Sequence, residues 1–274
     1  MPGDPGAEVI AAFGCEPAGL TTRLPGGQGR AFRCGDLFLK PVDDPAEASW
    51  CAETLVAIEQ DGFRVPRPIR AVHGGWVESG WTAWEWIAGQ PAGRNGGRWP
   101  ETLAACRAFH AALRDVPRPA FLGARRDPWA DADRIAWAEA ELDAPTEIGA
   151  LLARLTDGLR PVDLPAQVIH GDFTANVLFE PGLPPAVIDF SPYWRPPGFA
   201  LAIVVVDALT WGGADARMLD FVREEPRIEQ LLLRAELRRL VEVELHDRAT
   251  GRLRPEEVRA HEPTIDVLRS LAAQ

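Results

Sequence analysis

The residues best suited to chemistry lie in two short segments, His170-Gly171-Asp172-Phe173-Thr174-Ala175-Asn176 and Ile188-Asp189-Phe190. Apolar, β-branched runs flank them: Val168-Ile169, Val177-Leu178-Phe179 and Val187-Ile188. The last two are joined by Pro181-Gly182-Leu183-Pro184-Pro185, which predicts a small hairpin. Asp172, Asn176 and Asp189 then converge at one end of that hairpin. Such hard oxygen donors suit Mg²⁺, which takes one or two protein carboxylates and completes its shell with phosphates and water. A further carboxylate can accept a hydroxyl proton. On this reading Asp172 is the base, and Asn176 and Asp189 are the metal ligands.

A second signal is compositional. Of 29 Lys and Arg residues, Lys40 is the only lysine. Ammonium is a compact point charge on a flexible stem, whereas guanidinium is a planar fork, so the two are not interchangeable. Lys40 closes a predicted strand that follows the Gly-rich turn Pro25-Gly26-Gly27-Gln28-Gly29. Glu53 follows thirteen positions later in a predicted helix, with Glu47 as a competing ion-pair partner.

The elements that must position these groups divide in two. Residues 7 to 13 read as a short helix, 21 to 41 as strand, turn and strand, and 45 to 60 as a helix stopped by Asp61-Gly62. Arg67 to His73 and Gly75 to Ile87 read as further strands, with Trp81, Trp84 and Trp86 expected on one strand face. Gln90 to Pro100 reads as a hinge. Beyond it, helical spacing recurs at Leu103, Cys106, Phe109 and Leu113, from Ile148 to Leu159, and from Leu232 to Leu245. The acidic stretch Asp127 to Glu147 is either a solvated face or the lining of a pocket for a cation. His170 and His110 are expected as core histidines, and Tyr193 and Trp194 could touch an acceptor.

Composition bounds the partners. Forty acidic against 29 basic residues leave a net charge of −11, without the positive field that nucleic acid requires. The longest apolar run, Phe199 to Val206, is far too short to span a membrane. Cys15, Cys34, Cys51 and Cys106 contain no C-x-x-C pair, so neither a zinc site nor a dense disulfide framework is expected. A reducing, cytoplasmic location fits. Oligomeric state is not written in the sequence.

The pattern H-G-D with a following Asn, then I-D-F, with an upstream Gly-rich turn, a strand Lys and a helix Glu, resembles the aminoglycoside phosphotransferase family. The resemblance runs from about Leu20 to Trp211, and LPGGQGRAFRCGDLFLKP resembles a branch apart from the drug-resistance enzymes. It implies an α+β, two-lobed protein-kinase-like fold, with a small β-rich N-lobe over residues 1–88 and a larger helical C-lobe over residues 89–274 that carries the catalytic hairpin. It implies an ATP- and Mg²⁺-dependent enzyme that moves the γ-phosphoryl group to a hydroxyl of a small molecule. Gly26, Gly27 and Gly29 would lie over the phosphates, Lys40 would reach them while pairing with Glu53, and Glu85, Trp86 and Ile87 would meet adenine. Asp172 would orient the acceptor, and Asn176 and Asp189 would hold Mg²⁺.

Two departures bear on activity. Kinase catalytic loops place Asn five residues after Asp, whereas Asp172 to Asn176 is four. Family members also commonly carry an acidic residue shortly after the I-D-F segment, where Gly198-Phe199-Ala200-Leu201-Ala202 has none; Asp207 is expected to replace it by bonding to the catalytic-loop backbone. The alternative reading is therefore a non-catalytic, nucleotide-binding protein with a regulatory or scaffold role.

Overall fold

The computed structural model describes residues 4–15, 21–24, 29–92, 97–142, 146–250 and 255–273. The chain divides into two compact units: residues 1–90 with 178–190, and residues 91–177 with 191–274. The segment 178–190, expected with the helical lobe, therefore groups with the first unit. Backbone bonds explain this, because Arg64 N–H donates to Pro185 O at 2.9 Å and Val187 N–H donates to Arg64 O at 2.8 Å.

The first unit opens with α1 (Ala7–Ala12), followed by β1 (Thr22–Arg23), β2 (Phe32–Cys34) and β3 (Leu37–Pro41). Helix α2 (Pro45–Ala57) precedes β4 (Pro68–Ile69) and β5 (Trp81–Glu85). The sheet runs β1-β2-β3-β5-β4 with every pair antiparallel, and Lys40 sits opposite Thr82. Asp44 caps α2 by accepting from Ala46 N–H at 2.8 Å, and Pro45 starts the helix where its missing N–H costs nothing. Val9, Phe13, Phe32, Leu39 and Trp81 form the core beneath the sheet.

Two expected strands are shorter than their apolar runs. In Arg67 to His73 only Pro68–Ile69 pairs, and Gly75 to Ile87 contributes only Trp81–Glu85. Ser79 and Gly80, with φ of 48° and 77°, turn the chain back just before β5. The three tryptophans do not share a face: Trp81 is buried and Trp86 is exposed, since Trp84 and Trp86 lie three and five residues from Trp81, odd steps that cross the pleat. Cys15 and Cys34 form a disulfide, with Cα atoms 6.2 Å apart. Their spacing carried no sign of it, because the pairing is made only when the chain after α1 packs against β2.

The short strand β6 (Gln90–Pro91) ends the first stretch of chain. The second unit contains α3 (Trp99–Ala112), α4 (Pro128–Ala136), α5 (Thr146–Thr156) and β7 (Gln167–His170). The hairpin strands β8 (Val177–Phe179) and β9 (Ala186–Val187) follow, as the sequence predicts, and then β10 (Pro192–Arg195). The chain finishes with α6 (Pro197–Thr210), α7 (Ile228–Thr250), α8 (Pro255–Ala260) and α9 (Glu262–Ala272). Strands β7 and β10 pair antiparallel, with His170 opposite Pro192. Helix α6 is buried from Gly198 to Ala208, and α7 packs against α4, α5, α6 and α9. A helix enclosed this way must be apolar on most sides or neutralise what it buries. Helix α7 does both: Leu231, Leu232, Leu233 and Leu240 are fully buried, and so are Glu236 and Arg238. Among the described residues, no helix is long and apolar enough to cross a membrane.

Candidate active site

In the first unit, antiparallel pairing with β5 fixes the end of β3, and Lys40 projects from it to form an ion pair with Asp189 Oδ1. Both side chains are more than two-fifths exposed. Glu53, the expected partner, lies exposed on α2 and is not brought to Lys40. The reason is geometric: thirteen residues set a plausible distance along the chain, but rotation about the helix axis decides which face Glu53 occupies. Asp189 has a φ of +50°, a left-handed conformation that Asp tolerates better than bulkier residues.

Gly29 has a φ of +67°, so glycine is required to close the turn before β2. Gly26 and Gly27 lie outside the described residues. Of the three residues expected at adenine, Glu85 N–H donates to Arg67 O at 2.8 Å and Trp86 N–H donates to Asp36 O at 2.7 Å. Ile87 N–H is left without a partner among the described residues. Gly89 follows, where an added Cβ would lie 2.9 Å from Leu178 Cβ.

In the second unit, β7 delivers the H-G-D segment. Gly171 N–H donates to Ser191 O at 2.9 Å, and a Cβ at Gly171 would lie 2.2 Å from the Tyr193 ring. Glycine is therefore the residue that fits between the paired strands. His170 is fully buried and accepts the Asp172 N–H on Nδ1 at 3.2 Å, so it orients the loop. Behind it stands His110, which accepts the His170 N–H on Nε2 at 3.0 Å while Nδ1 donates to Cys106 O at 2.6 Å. Burial pushes the His110 pKa down to about 4, so the ring is neutral with its proton on Nδ1. The sequence marked His110 only as packing; its bond to the strand bearing the H-G-D segment needed the fold.

The loop that is one residue short closes as a 3₁₀ turn, Thr174–Asn176. This turn advances fewer residues than an α-turn. It brings the Asn176 amide back so that Nδ2 donates to Asp172 O at 2.7 Å, and Nδ2 lies 3.4 Å from Asp172 Oδ2. Asp172 Oδ1 accepts from Arg239 Nη2 at 2.9 Å, while the side chain as a whole stays 46% exposed. Burial raises the Asp172 pKa, but the Arg239 charge, helped by Arg238, outweighs that and holds the carboxyl below its ordinary value.

Asp207 is not bonded as expected. Its carboxylate is taken by the Arg239 fork, at 2.8 Å from Nε and 2.7 Å from Nη2, and Arg239 in turn donates to Asp172. Nothing in the sequence singled out Arg239 from 28 arginines. The acidic stretch is likewise answered by arginine: Asp127 pairs with Arg125, Asp131 with Arg134, and Asp133 and Glu139 with Arg195. These four acids hold protein cations. Tyr193 is 5% exposed, with the Arg238 and Arg125 guanidinium groups 4.3 and 4.8 Å from its ring centre.

Among the described residues, no three His, Cys, Asp or Glu side chains gather into a metal cage. Asn176 and Asp189 are nonetheless hard oxygen donors, the type that suits an ion completing its shell with phosphate and water.

Residues 22–215 match the model of a phosphotransferase enzyme family. The chain belongs to that family. It is accordingly a small-molecule kinase, and solved structures support the protein-kinase-like fold. A choline/ethanolamine kinase family protein from Mesorhizobium loti is 18% identical, with a TM-score of 0.64 over 97% of both chains. The aminoglycoside phosphotransferase APH(4)-Ia, in a ternary complex with AMP-PNP and hygromycin B, is 19% identical, with a TM-score of 0.61 over 97% of this chain and 98% of that one. Amicoumacin kinase in complex with AMP-PNP, Ca²⁺ and Ami is 14% identical, with a TM-score of 0.61 over 96% of this chain and 92% of that one. No curated protein matches the chain in sequence.

Proposed function

We propose that this kinase transfers the γ-phosphoryl group of ATP, with Mg²⁺, to a hydroxyl of a small molecule. The observation that carries the reading is the state of Asp172: Oδ1 accepts from Arg239 Nη2 at 2.9 Å and Oδ2 lies 3.4 Å from Asn176 Nδ2, on a side chain that is 46% exposed. A carboxylate held in this way suits the orienting of an acceptor hydroxyl. The bond from the acceptor oxygen to the γ-phosphorus forms as the bridging P–O bond breaks. The electron pair leaves with ADP, and the hydroxyl proton passes to Asp172 Oδ2.

Lys40 is assigned to the α and β phosphates, and the backbone of Gly26, Gly27 and Gly29 to the phosphate chain. Glu85, Trp86 and Ile87 are assigned to adenine, with Ile87 N–H as the donor. Asn176 and Asp189 are assigned to Mg²⁺, which would supply charge neutralisation on the phosphates. The nucleotide analogues and antibiotics bound by the structural neighbours support the class of both substrates. The test is incubation with γ-labelled ATP, Mg²⁺ and a panel of aminoglycosides, sugars and amino alcohols, with Asp172→Ala run alongside. A labelled small molecule made by the wild type alone is expected. The absence of any product, together with no Mg²⁺-dependent ATP binding, would favour the non-catalytic alternative.

A further inference from the structure

We propose that Arg239 is the positioning residue for phosphoryl transfer: it fixes the rotamer of Asp172 from beneath and takes the place of a backbone anchor for the catalytic loop. The proposal rests on the reading of Asp172 as the residue that meets the acceptor.

Arg239 lies in α7, 67 residues beyond Asp172, with its side chain 8% exposed. Four hydrogen bonds fix its fork. Nε and Nη2 grip Asp207 in a bidentate pair at 2.8 and 2.7 Å, Nη1 donates to Glu242 Oε2 at 2.8 Å, and Nη2 also donates to Asp172 Oδ1 at 2.9 Å. Asp207 is held by the fully buried helix α6, and Glu242 is held a second time by Arg238 Nε at 2.9 Å. The guanidinium therefore cannot turn without breaking several charge-assisted bonds at once.

Two guanidinium groups face three carboxylates in this cluster. Asp207 and Glu242, 7% and 13% exposed, are the carboxylates the arginines neutralise, and the remaining negative charge falls on half-exposed Asp172. Oδ1 is anchored on Arg239, while Oδ2, with the longer 3.4 Å contact to Asn176 Nδ2, is the oxygen assigned to the hydroxyl. A lysine could supply the charge but not a planar fork that reaches two carboxylates in fixed directions.

The experiment compares the full-length wild type with Arg239→Lys, Asp172→Asn and the double variant. The readout is transfer from γ-labelled Mg·ATP to water and to any acceptor found in the panel, with kcat and the KM for ATP resolved separately. The expected result is that Arg239→Lys loses about 100-fold in kcat, the scale of a misplaced catalytic group, with the KM for ATP within about twofold. In the Asp172→Asn background the same change should alter kcat by less than about twofold, because the two residues act as one unit. Glu242→Gln keeps one acceptor oxygen where the carboxylate had two, so Arg238 Nε and Arg239 Nη1 cannot both keep their bonds, and it should show the same kcat-only loss at about 10-fold; it carries the test if Arg239→Lys does not fold. An active wild type whose variants keep kcat, or lose it equally in both backgrounds, overturns the proposal alone. A wild type that transfers no phosphate to water or to any acceptor overturns the functional reading and the proposal with it.

Discussion

Lys40 and Asp189 meet in the first unit with both side chains more than two-fifths exposed, whereas Arg239 and Asp207 meet in the second with both below a tenth. An exposed pair gains little from its attraction because water screens it, about 0 to 1 kcal/mol. It can therefore part when phosphates and a cation arrive, which is what the roles proposed for Lys40 and Asp189 need. The buried set has the opposite character. Its charges have already lost their water, and removing any partner leaves another charge enclosed without compensation. The exchangeable contact belongs to the unit that holds Lys40 and Asp189, and the fixed contacts to the unit that holds Asp172.

The largest expected effect is on chemistry. Asp172→Ala should lower kcat by about 10² to 10⁴-fold, the usual range for a proton-accepting group, and leave ATP binding in place; a calorimetric titration with Mg·ATP beside the rate assay checks both halves. The next tests the buried side of the comparison. Asp207→Ala strips Arg239 of its bidentate partner and should cost about 3 to 5 kcal/mol of stability, read from the urea midpoint. A loss as small as that of a surface pair would erase the distinction between the two regions.

Acid should act on the second unit through His110. Burial lowers its pKa from 6.5 to about 4, so between those values the unfolded chain takes up a proton that the native ring refuses. Stability is thus fully present above 6.5 and falls as pH drops toward 4, by about 3 kcal/mol. Urea titrations across that range should show this slope, and His110→Gln should flatten it. Gly171→Ala drives a methyl into the Tyr193 ring and should cost about 1 to 3 kcal/mol, seen as a lower thermal midpoint. The smallest effect on stability is expected on the exposed side: Lys40→Met should change the urea midpoint by less than the equivalent of about 1 kcal/mol.

Much of the site was legible because its signals are short-range. His170-Gly171-Asp172, Asn176 and Asp189 sit next to strands whose apolar alternation and Pro-Gly turn mark a hairpin, and the hairpin formed. The lone lysine stood out against 28 arginines, and it ends a paired strand opposite Thr82. Strand length was read less well, because apolar runs such as Gly75 to Ile87 do not say where a turn at Ser79-Gly80 will cut them.

The sequence by itself determined which groups can act: an Asp and an Asn on one loop, an Asp after a hairpin, one ammonium, and a family pattern specific enough to identify the class of enzyme. Only the tertiary structure decided whom each charge faces. Lys40 turned to Asp189 and not to Glu53, the acids from Asp127 to Glu139 were claimed by arginines, and Asp207 and Asp172 both met Arg239. The physical reason is range. Turn chemistry and side-chain period act over a few residues, whereas ion pairs between residues 32, 67 or 149 positions apart are chosen by which helix faces and strand ends the packing of the core brings together.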